Sequence, residues 1–409
     1  MSSVQEANRS IELKPLPYHE AIRAYLKAEQ PETWNWYASN RVREEQAEAV
    51  RFDLLKSTYR VERPSQSEIY ATAESVAQRL GLTVPVTVYQ AQNPAGLNAS
   101  LAYVPSDAHI VLHGPVCSKL AEGELRALLA HELSHLLSWQ CCDGEYLVVD
   151  QVLAALSHDT LADTPHFASA RLFGLYNEVF CDRGALAVVG DPLVVVSMLL
   201  KVHTELDDVS PESYLRQAEE ILGRGPVRAN ELTHPEAFIR ALALQLWATG
   251  APEADAKIAA MIEGPLSLDG LDLLGQRRAA GLTRRLVDAI LAPRWMQTDL
   301  VLAHARLFFD DYAAPESGED LSRADELRTD DAGMSDYYCY VLLDFVTVDR
   351  DLEELPLAAA LTLVERLGLK DRFVEIAQRE LRLRKKQLEK IDQDKEGLLA
   401  RAKKDTVSR

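Results

Sequence analysis

Residues 131–135 read His131-Glu132-Leu133-Ser134-His135, inside a run from Gly123 to Ser138 that carries the local marks of a helix. Residues four apart on a helix share one face, so both imidazoles can reach one cation at about 2.0–2.1 Å, with Glu132 beside the cation's open position. That requirement constrains the fold: the helix must be partly buried, and another element must bring a third ligand to it. Neutral imidazole suits Zn²⁺, and a carboxylate next to a zinc-activated water can take its proton as the water attacks a carbonyl carbon. The plain alternative, two surface histidines and a solvated glutamate, fits the flanks poorly. Leu125, Leu128, Leu129, Leu133, Leu136 and Leu137 make an apolar helix on which His131, Glu132 and His135 are intruding polar groups that need partners.

The 409 residues are 47% hydrophobic and 26% charged, the balance of an ordinary globular protein with more than one core. A formal net charge of −19 argues against nucleic acid or an anionic membrane as the main partner. Met1 to Ser10 lacks the basic-then-apolar order of a secretory signal. The most apolar runs, near Leu147–Leu156 and Leu193–Leu200, fall well short of the roughly 20 residues of a transmembrane helix. Five cysteines scattered along the chain fit reduced thiols better than a disulfide framework. The expectation is a soluble, cytoplasmic protein without an integral membrane segment.

Hydrophobic period and punctuation outline the organisation. Tyr18 to Arg60 is helical in pattern with a break at Pro31, and residues 1–62 are read as an N-terminal helical layer. Ser65 or Ser67 could cap the next helix, which stops at Gly81. Three β-like runs follow, Val84–Tyr89, Asn98–Val104 and His109–Leu112, a small sheet just before the His131 helix. After His135 the pattern is almost entirely helical. The fold class expected is therefore α+β, predominantly helical, with helical N- and C-terminal extensions. The expected segments are 1–62, a central domain over 63–250, a helical extension over 251–312, an acidic linker over 313–332, and a C-terminal helical unit over 333–409. In the tail, Glu380–Lys404, a solvated helix is favoured over a coiled coil, with Leu381, Leu388, Ile391 and Leu398 as the only hint of a packing stripe.

A catalytic zinc needs a third protein ligand. The extended pattern H-E-x-x-H-x-x-G-x-x-H would put Gly at 138 and His at 141, where this chain has Ser138 and Cys141. Cys141, with Cys142 beside it, is one candidate, although a dedicated site would show more Cys or His nearby. The stronger candidate is Glu178, followed one turn later by Asp182. On a helix packed against the first, Glu178 can complete a His₂Glu site while Asp182 accepts the free N–H of one zinc histidine. Leu172, Leu175, Val179, Phe180 and Ala185 are apolar enough to bury that helix, against the common fate of such a pair on an exposed face.

These residues resemble the M48 class of zinc metallopeptidases, relatives of the bacterial heat-shock protease and the CAAX-prenyl endopeptidases, in which H-E-x-x-H precedes E-x-x-x-D on a later helix. Leu97-Asn98-Ala99 before a β run is similar to that class's edge strand. Leu120–Glu124 leads into Leu128-Leu129-Ala130-His131, and Thr233-His234-Pro235 with Arg240 resembles a downstream motif. The likeness covers about Ser65 to Leu246. It implies a gluzincin-like metallopeptidase domain with one Zn²⁺ per chain held by His131, His135 and Glu178, with Glu132 as general base and proton donor. It further implies that Asp182 partners His131, that His234 and Arg240 lie near the active site, and that Asn98, Ala99 and Ser100 bind an extended peptide or protein substrate by strand addition. His234 is the implied oxyanion stabiliser, against a plain reading as a helix-start histidine before Pro235.

The chain also departs from that class. It has no transmembrane helices between the motifs, and Ser100 stands where an aromatic follows Asn-Ala. The activity implied is a zinc metalloendopeptidase. Two alternatives stay open: a zinc aminopeptidase, and a scaffold acting through its C-terminal unit. Val348–Glu354 followed by Leu363–Leu367 is faintly similar to TerB-like helical domains, although an acidic helix start explains it as well. Those C-terminal helices are the candidates for a homo-oligomeric or regulatory contact.

Overall fold

The computed structural model of the protein describes residues 11, 13–92, 96–104, 107–158, 163–314 and 327–407. Prolines open many of its helices, since the first helical residue has no intrahelical use for its N–H. They begin α1 (Pro17–Glu29) and α2 (Pro31–Tyr37). The run the sequence predicts to be helical through Arg60 instead divides into α1, α2 and α3 (Asn40–Ser57), and Thr58–Arg60 forms strand β1. At Thr58 the backbone turns extended, and Thr58, Tyr59 and Arg60 pair antiparallel with Ala91, Gln90 and Tyr89. Neither expected serine caps α4 (Ser67–Arg79): its N-cap is Gln66, and the Ser65 hydroxyl donates to the Glu62 carbonyl.

Strands β2 (Val86–Ala91), β3 (Asn98–Val104) and β4 (Asp107–His113) complete a sheet of order β1-β2-β4-β3, with β2 parallel and β3 antiparallel to β4. Side chains alternate across a strand, and each face finds its own cover. Val86, Val88, Ala99, Ile110 and Leu112 enter the core with the leucines of the His131 helix, while Tyr89 and Val111 meet Leu54 of α3 on the other face. Strand β3 lies at the edge, in register Asn98 with His113 and Ser100 with Val111.

After the short α5 (Val116–Lys119), α6 (Glu122–His158) carries the H-E-x-x-H segment. It is two helices in line of sequence, because Cys142, Asp143 and Gly144 have φ of 52°, 57° and 84° and break the hydrogen-bonded run. Up to residue 264 the chain continues with α7 (Thr164–Val189), α8 (Pro192–Thr204), α9 (Pro211–Gly223), α10 (Ala237–Ala248) and α11 (Ala254–Glu263). Asp191 accepts from the Leu193 amide to cap α8, and left-handed Gly190 ends α7.

The predominantly helical α+β class is what the structure shows. Its divisions differ from the expected segments, because the chain forms two compact units, Met1–Gly264 and Pro265–Arg409. The N-terminal helices are no separate layer. Leu16, Ile22 and Leu26 are buried, and Arg23 and Lys27 both pair with Glu145 in the second half of α6. The expected extension over 251–312 is split, since α11 ends the first unit and α12 (Leu273–Leu291) begins the second.

Most of the expected linker, residues 315–326, lies outside the described residues. Its flanks, however, are core: Tyr312 and Leu327 are buried in one cluster with Leu286, Leu342, Leu361 and Phe373. The acidic stretch thus falls within the second unit rather than between units. That unit continues with α13 (Asp299–Phe308), α14 (Ala332–Thr347), α15 (Leu355–Leu367), α16 (Lys370–Leu381) and α17 (Lys385–Val407). The charged tail helix is anchored, with Leu388 and Ile391 buried and Lys395 bonded to Glu365 at 2.6 Å. In the acidic turn before α15, Asp349 is buried and accepts from Thr298 Oγ1 and the Asp351 amide, a structural cap.

Candidate metal centre

The site is assembled where α6, α7 and α10 meet behind the edge strand. His131 and His135 lie one turn apart on α6, their ring centroids 5.1 Å apart. Helix α7 can approach closely because Gly184 faces Ser134: a Cβ at 184 would fall 1.9 Å from the Ser134 hydroxyl oxygen. That crossing sets Glu178 and Asp182, one turn apart, against the two histidines.

Glu178 reaches both rings, Oε2 lying 3.3 Å from His131 Nε2 and Oε1 3.5 Å from His135 Nε2. The opposite nitrogens are engaged elsewhere. His131 Nδ1 is 3.0 Å from Asp182 Oδ1, and His135 Nδ1 is 3.1 Å from the Asn177 amide. Asp182 is fully buried and also receives Nε and Nη2 of Arg240, each at 2.7 Å. Arg240 is itself buried, so the guanidinium and the carboxylate neutralise each other out of water.

The electrostatics follow from that burial. Burial alone would raise the Asp182 carboxyl, but Arg240 and the His131 bond hold it below the ordinary carboxylate range. Glu178 behaves likewise: desolvation pushes up, while the His131 bond and the charges of His135, His131 and Arg240 hold it well down. Burial works against a proton on His131, yet the Asp182 and Glu178 carboxylates outweigh it and raise the group to about 10. His135 has no second carboxylate on its far side, and burial lowers it to about 4. Glu132 is raised to about 8, chiefly by burial and further by Glu178, against the opposing charges of His131 and Arg240 and the Leu101 amide.

The donor set fits a divalent cation. His131, His135 and Glu178 are the group among the described residues whose ligand atoms converge, all within 4.8 Å of one another. Ligands about 2.0–2.1 Å from a tetrahedral ion stand roughly 3.3 Å apart, close to the separations of Glu178 from the two rings. Glu178 Oε2 is buried with His131, His234 and Arg240 nitrogens 3.3–3.6 Å away but no well-formed hydrogen bond, an acceptor that a cation would satisfy. Cys141, at the break in α6, is outside the cluster, and burial raises its thiol to about 11.

The expected substrate residues Asn98, Ala99 and Ser100 line a cleft of about 600 Å³ shared with His131, Glu132, His135, Glu178, His234 and Arg240. His234 is partly exposed, its Nε2 3.5 Å from Glu178 Oε2 and its Nδ1 2.8 Å from the Thr233 hydroxyl. Ser100 bonds His113 Nε2 at 3.0 Å across the β3–β4 pair. Three features escaped the sequence reading: Asn177 against His135, Trp139 over the same ring at 6.1 Å, and the far wall supplied by Met198, Val202, His203 and Glu205 of α8 and its cap. Position was a usable signal for the first two, since Asn177 precedes Glu178 and Trp139 is one turn beyond His135. The α8 wall depends on tertiary packing.

Two histidines and a glutamate on adjoining helices converge as a divalent metal site requires, with a second buried glutamate beside an edge strand. Residues 64–248, within the first unit, match the model of peptidase family M48. A curated relative, the plastoglobule-localized metallopeptidase 48, chloroplastic, of Arabidopsis thaliana, is 28% identical over 199 residues, 44% of this chain and 57% of that protein. The chain thus matches a little over half the length of that relative. No solved structure matches significantly. No helix among the described residues is long and apolar enough to cross a membrane.

Proposed function

We propose that the protein is a zinc-dependent endopeptidase. The observation that carries this reading is the convergence of His131, His135 and Glu178 with Glu132 beside them, at the floor of a cleft walled by an edge strand. His131, His135 and Glu178 would hold the zinc, which when bound supplies a Lewis acid that acidifies water and polarises the scissile carbonyl.

The remaining steps belong to the chain's own groups. An extended peptide adds to β3, its main chain pairing with Asn98–Leu101, so that affinity comes largely from backbone hydrogen bonds. Glu132 accepts a proton from the attacking water and returns it to the departing amine nitrogen. Burial raises that carboxyl's affinity for the proton it carries between the two steps. His234, half-exposed at the cleft, is placed to donate to the developing oxyanion. Asp182, locked by Arg240, accepts from His131 Nδ1, which would leave Nε2 as the nitrogen that holds the zinc.

Hydrolysis of a casein-type substrate by the chain and by Glu132→Gln, with zinc measured on both, tests the reading. The variant is expected to retain zinc and lose at least about 100-fold in turnover, the scale of a lost general base. Unchanged hydrolysis would sink the assignment. Cleavage of peptides blocked at both ends supports an endopeptidase, whereas activity confined to free N-termini favours an aminopeptidase.

A further inference from the structure

The buried carboxylate of Asp182 orients only one of the two histidines. His135 turns its Nδ1 instead toward Asn177, the residue immediately before Glu178 on α7, at 3.1 Å. A side-chain amide can present either its nitrogen or its oxygen to a ring, and the two choices demand different tautomers. With the amide nitrogen donating, Nδ1 holds the lone pair and the ring proton sits on Nε2. That nitrogen, 3.5 Å from Glu178 Oε1, could then bind no cation. With the amide oxygen accepting, the proton sits on Nδ1 and the Nε2 lone pair is free for the cation. The atom placed at 3.1 Å is Nδ2, while Oδ1 is buried and accepts no hydrogen bond; turning the amide over by 180° brings Oδ1 to Nδ1 without moving the chain.

We infer that Asn177 is the positioning residue of the second histidine: its Oδ1 accepts the Nδ1–H of His135 and fixes the tautomer whose Nε2 binds zinc. The inference rests on the zinc reading proposed above. A neutral acceptor does for His135 what Asp182 does for His131, without burying another carboxylate beside Glu178. Asp182 can carry its charge because Arg240 neutralises it through two bonds of 2.7 Å. Asn177 and Glu178, consecutive on one helix, would thus reach the same imidazole from its two sides.

The test measures the zinc dissociation constant of the full chain by competition with a chromophoric chelator at neutral pH, for the unaltered protein, Asn177→Leu and Asn177→Asp. The thermal midpoint of each metal-free protein is recorded alongside. Asn177→Leu keeps the branched heavy-atom skeleton but loses the acceptor, and its zinc affinity is expected to fall about 10- to 100-fold with the metal-free midpoint unchanged. Asn177→Asp restores an acceptor in the same place and is expected to bind zinc at least as tightly as the unaltered chain. Equal affinity in the Leu variant overturns the inference alone, and so does an Asp variant as weak as the Leu variant. Should the Leu variant be unstable without metal, Asn177→Ala takes its place in the comparison, under the same two criteria. Failure of the unaltered chain to bind zinc overturns the proposed function first and this inference with it.

Discussion

Asp182 and His19 are both buried polar side chains, and they solve the problem of burial in opposite ways. Asp182 stays charged because Arg240 and His131 surround it, and removing it would strip the buried guanidinium of both its 2.7 Å bonds, leaving only Glu178 at 3.6 Å, a loss on the order of 3 kcal/mol. His19 stays neutral. Its Nδ1 accepts the Leu16 amide at 3.2 Å, its ring packs edge-on to Phe173, Tyr146 and Phe180, and burial lowers it to about 3 from an ordinary 6.5. A depressed pKa means that the unfolded chain takes up this proton first as the pH falls. Stability from His19 is therefore complete above about 6.5 and is lost progressively down toward 3, with a slope approaching about 1.4 kcal/mol per pH unit. His19→Asn removes the titration but keeps an oxygen that can accept the Leu16 amide. In denaturant titrations of the first unit's unfolding, the unaltered protein is expected to lead this variant at pH 7.5. That lead should shrink as the pH drops to 5; a difference constant with pH would refute the assignment. Other titrating groups, including those of the metal centre, are common to both proteins and cancel in the difference.

At the scale of elements, the crossing of α6 and α7 decides whether the site exists. The H-E-x-x-H segment was legible because its chemistry is local: helical spacing alone brings His131 and His135 to one face. Glu178 and Asp182 were legible for the same reason, one turn apart in an apolar helix. Arg240 and His234 came through family resemblance, and the α8 wall was hidden because no local pattern records which helix closes a cleft. The strand at Thr58–Arg60 was hidden too, since three residues carry no period of their own and are strand only by pairing with β2. The crossing itself rests on Gly184. A methyl group there would overlap Ser134, whose Cβ lies 2.8 Å from the added atom, so the helices must separate. Gly184→Ala is expected to cost about 1–3 kcal/mol and to weaken zinc binding, because Glu178 moves away from the histidines. Ser134→Gly in the same chain removes the obstruction and should recover most of the zinc affinity. Chelator competition on the single and double variants reads this directly; a harmless Gly184→Ala would show that the crossing tolerates more room than its geometry implies.

At the scale of the whole molecule, the division into two units changes where the chain can be cut. Composition pointed to the acidic stretch around 313–332 as a hinge between domains, because charge and turn-forming residues are cheap to solvate. The packing argues otherwise: Leu286, Ile290 and Met296 lie before that stretch, Phe345, Leu361 and Phe373 lie after it, and all six share one core. A chain ending at residue 313 would expose the apolar faces of α12 and α13 with nothing to cover them, and it is expected to aggregate or lose the second unit by proteolysis. A chain ending at Gly264 keeps every group of the metal centre, from Asn98 to Arg240, together with the whole core of the first unit. It is expected to remain monodisperse, bind zinc as tightly as the full chain, and hydrolyse casein. Size-exclusion chromatography and zinc analysis of the two truncated chains separate these outcomes. If residues 1–264 fail to fold while 1–313 folds, the two-unit description is wrong. If residues 1–264 fold and cleave substrate faster than the full chain, the second unit restrains the site.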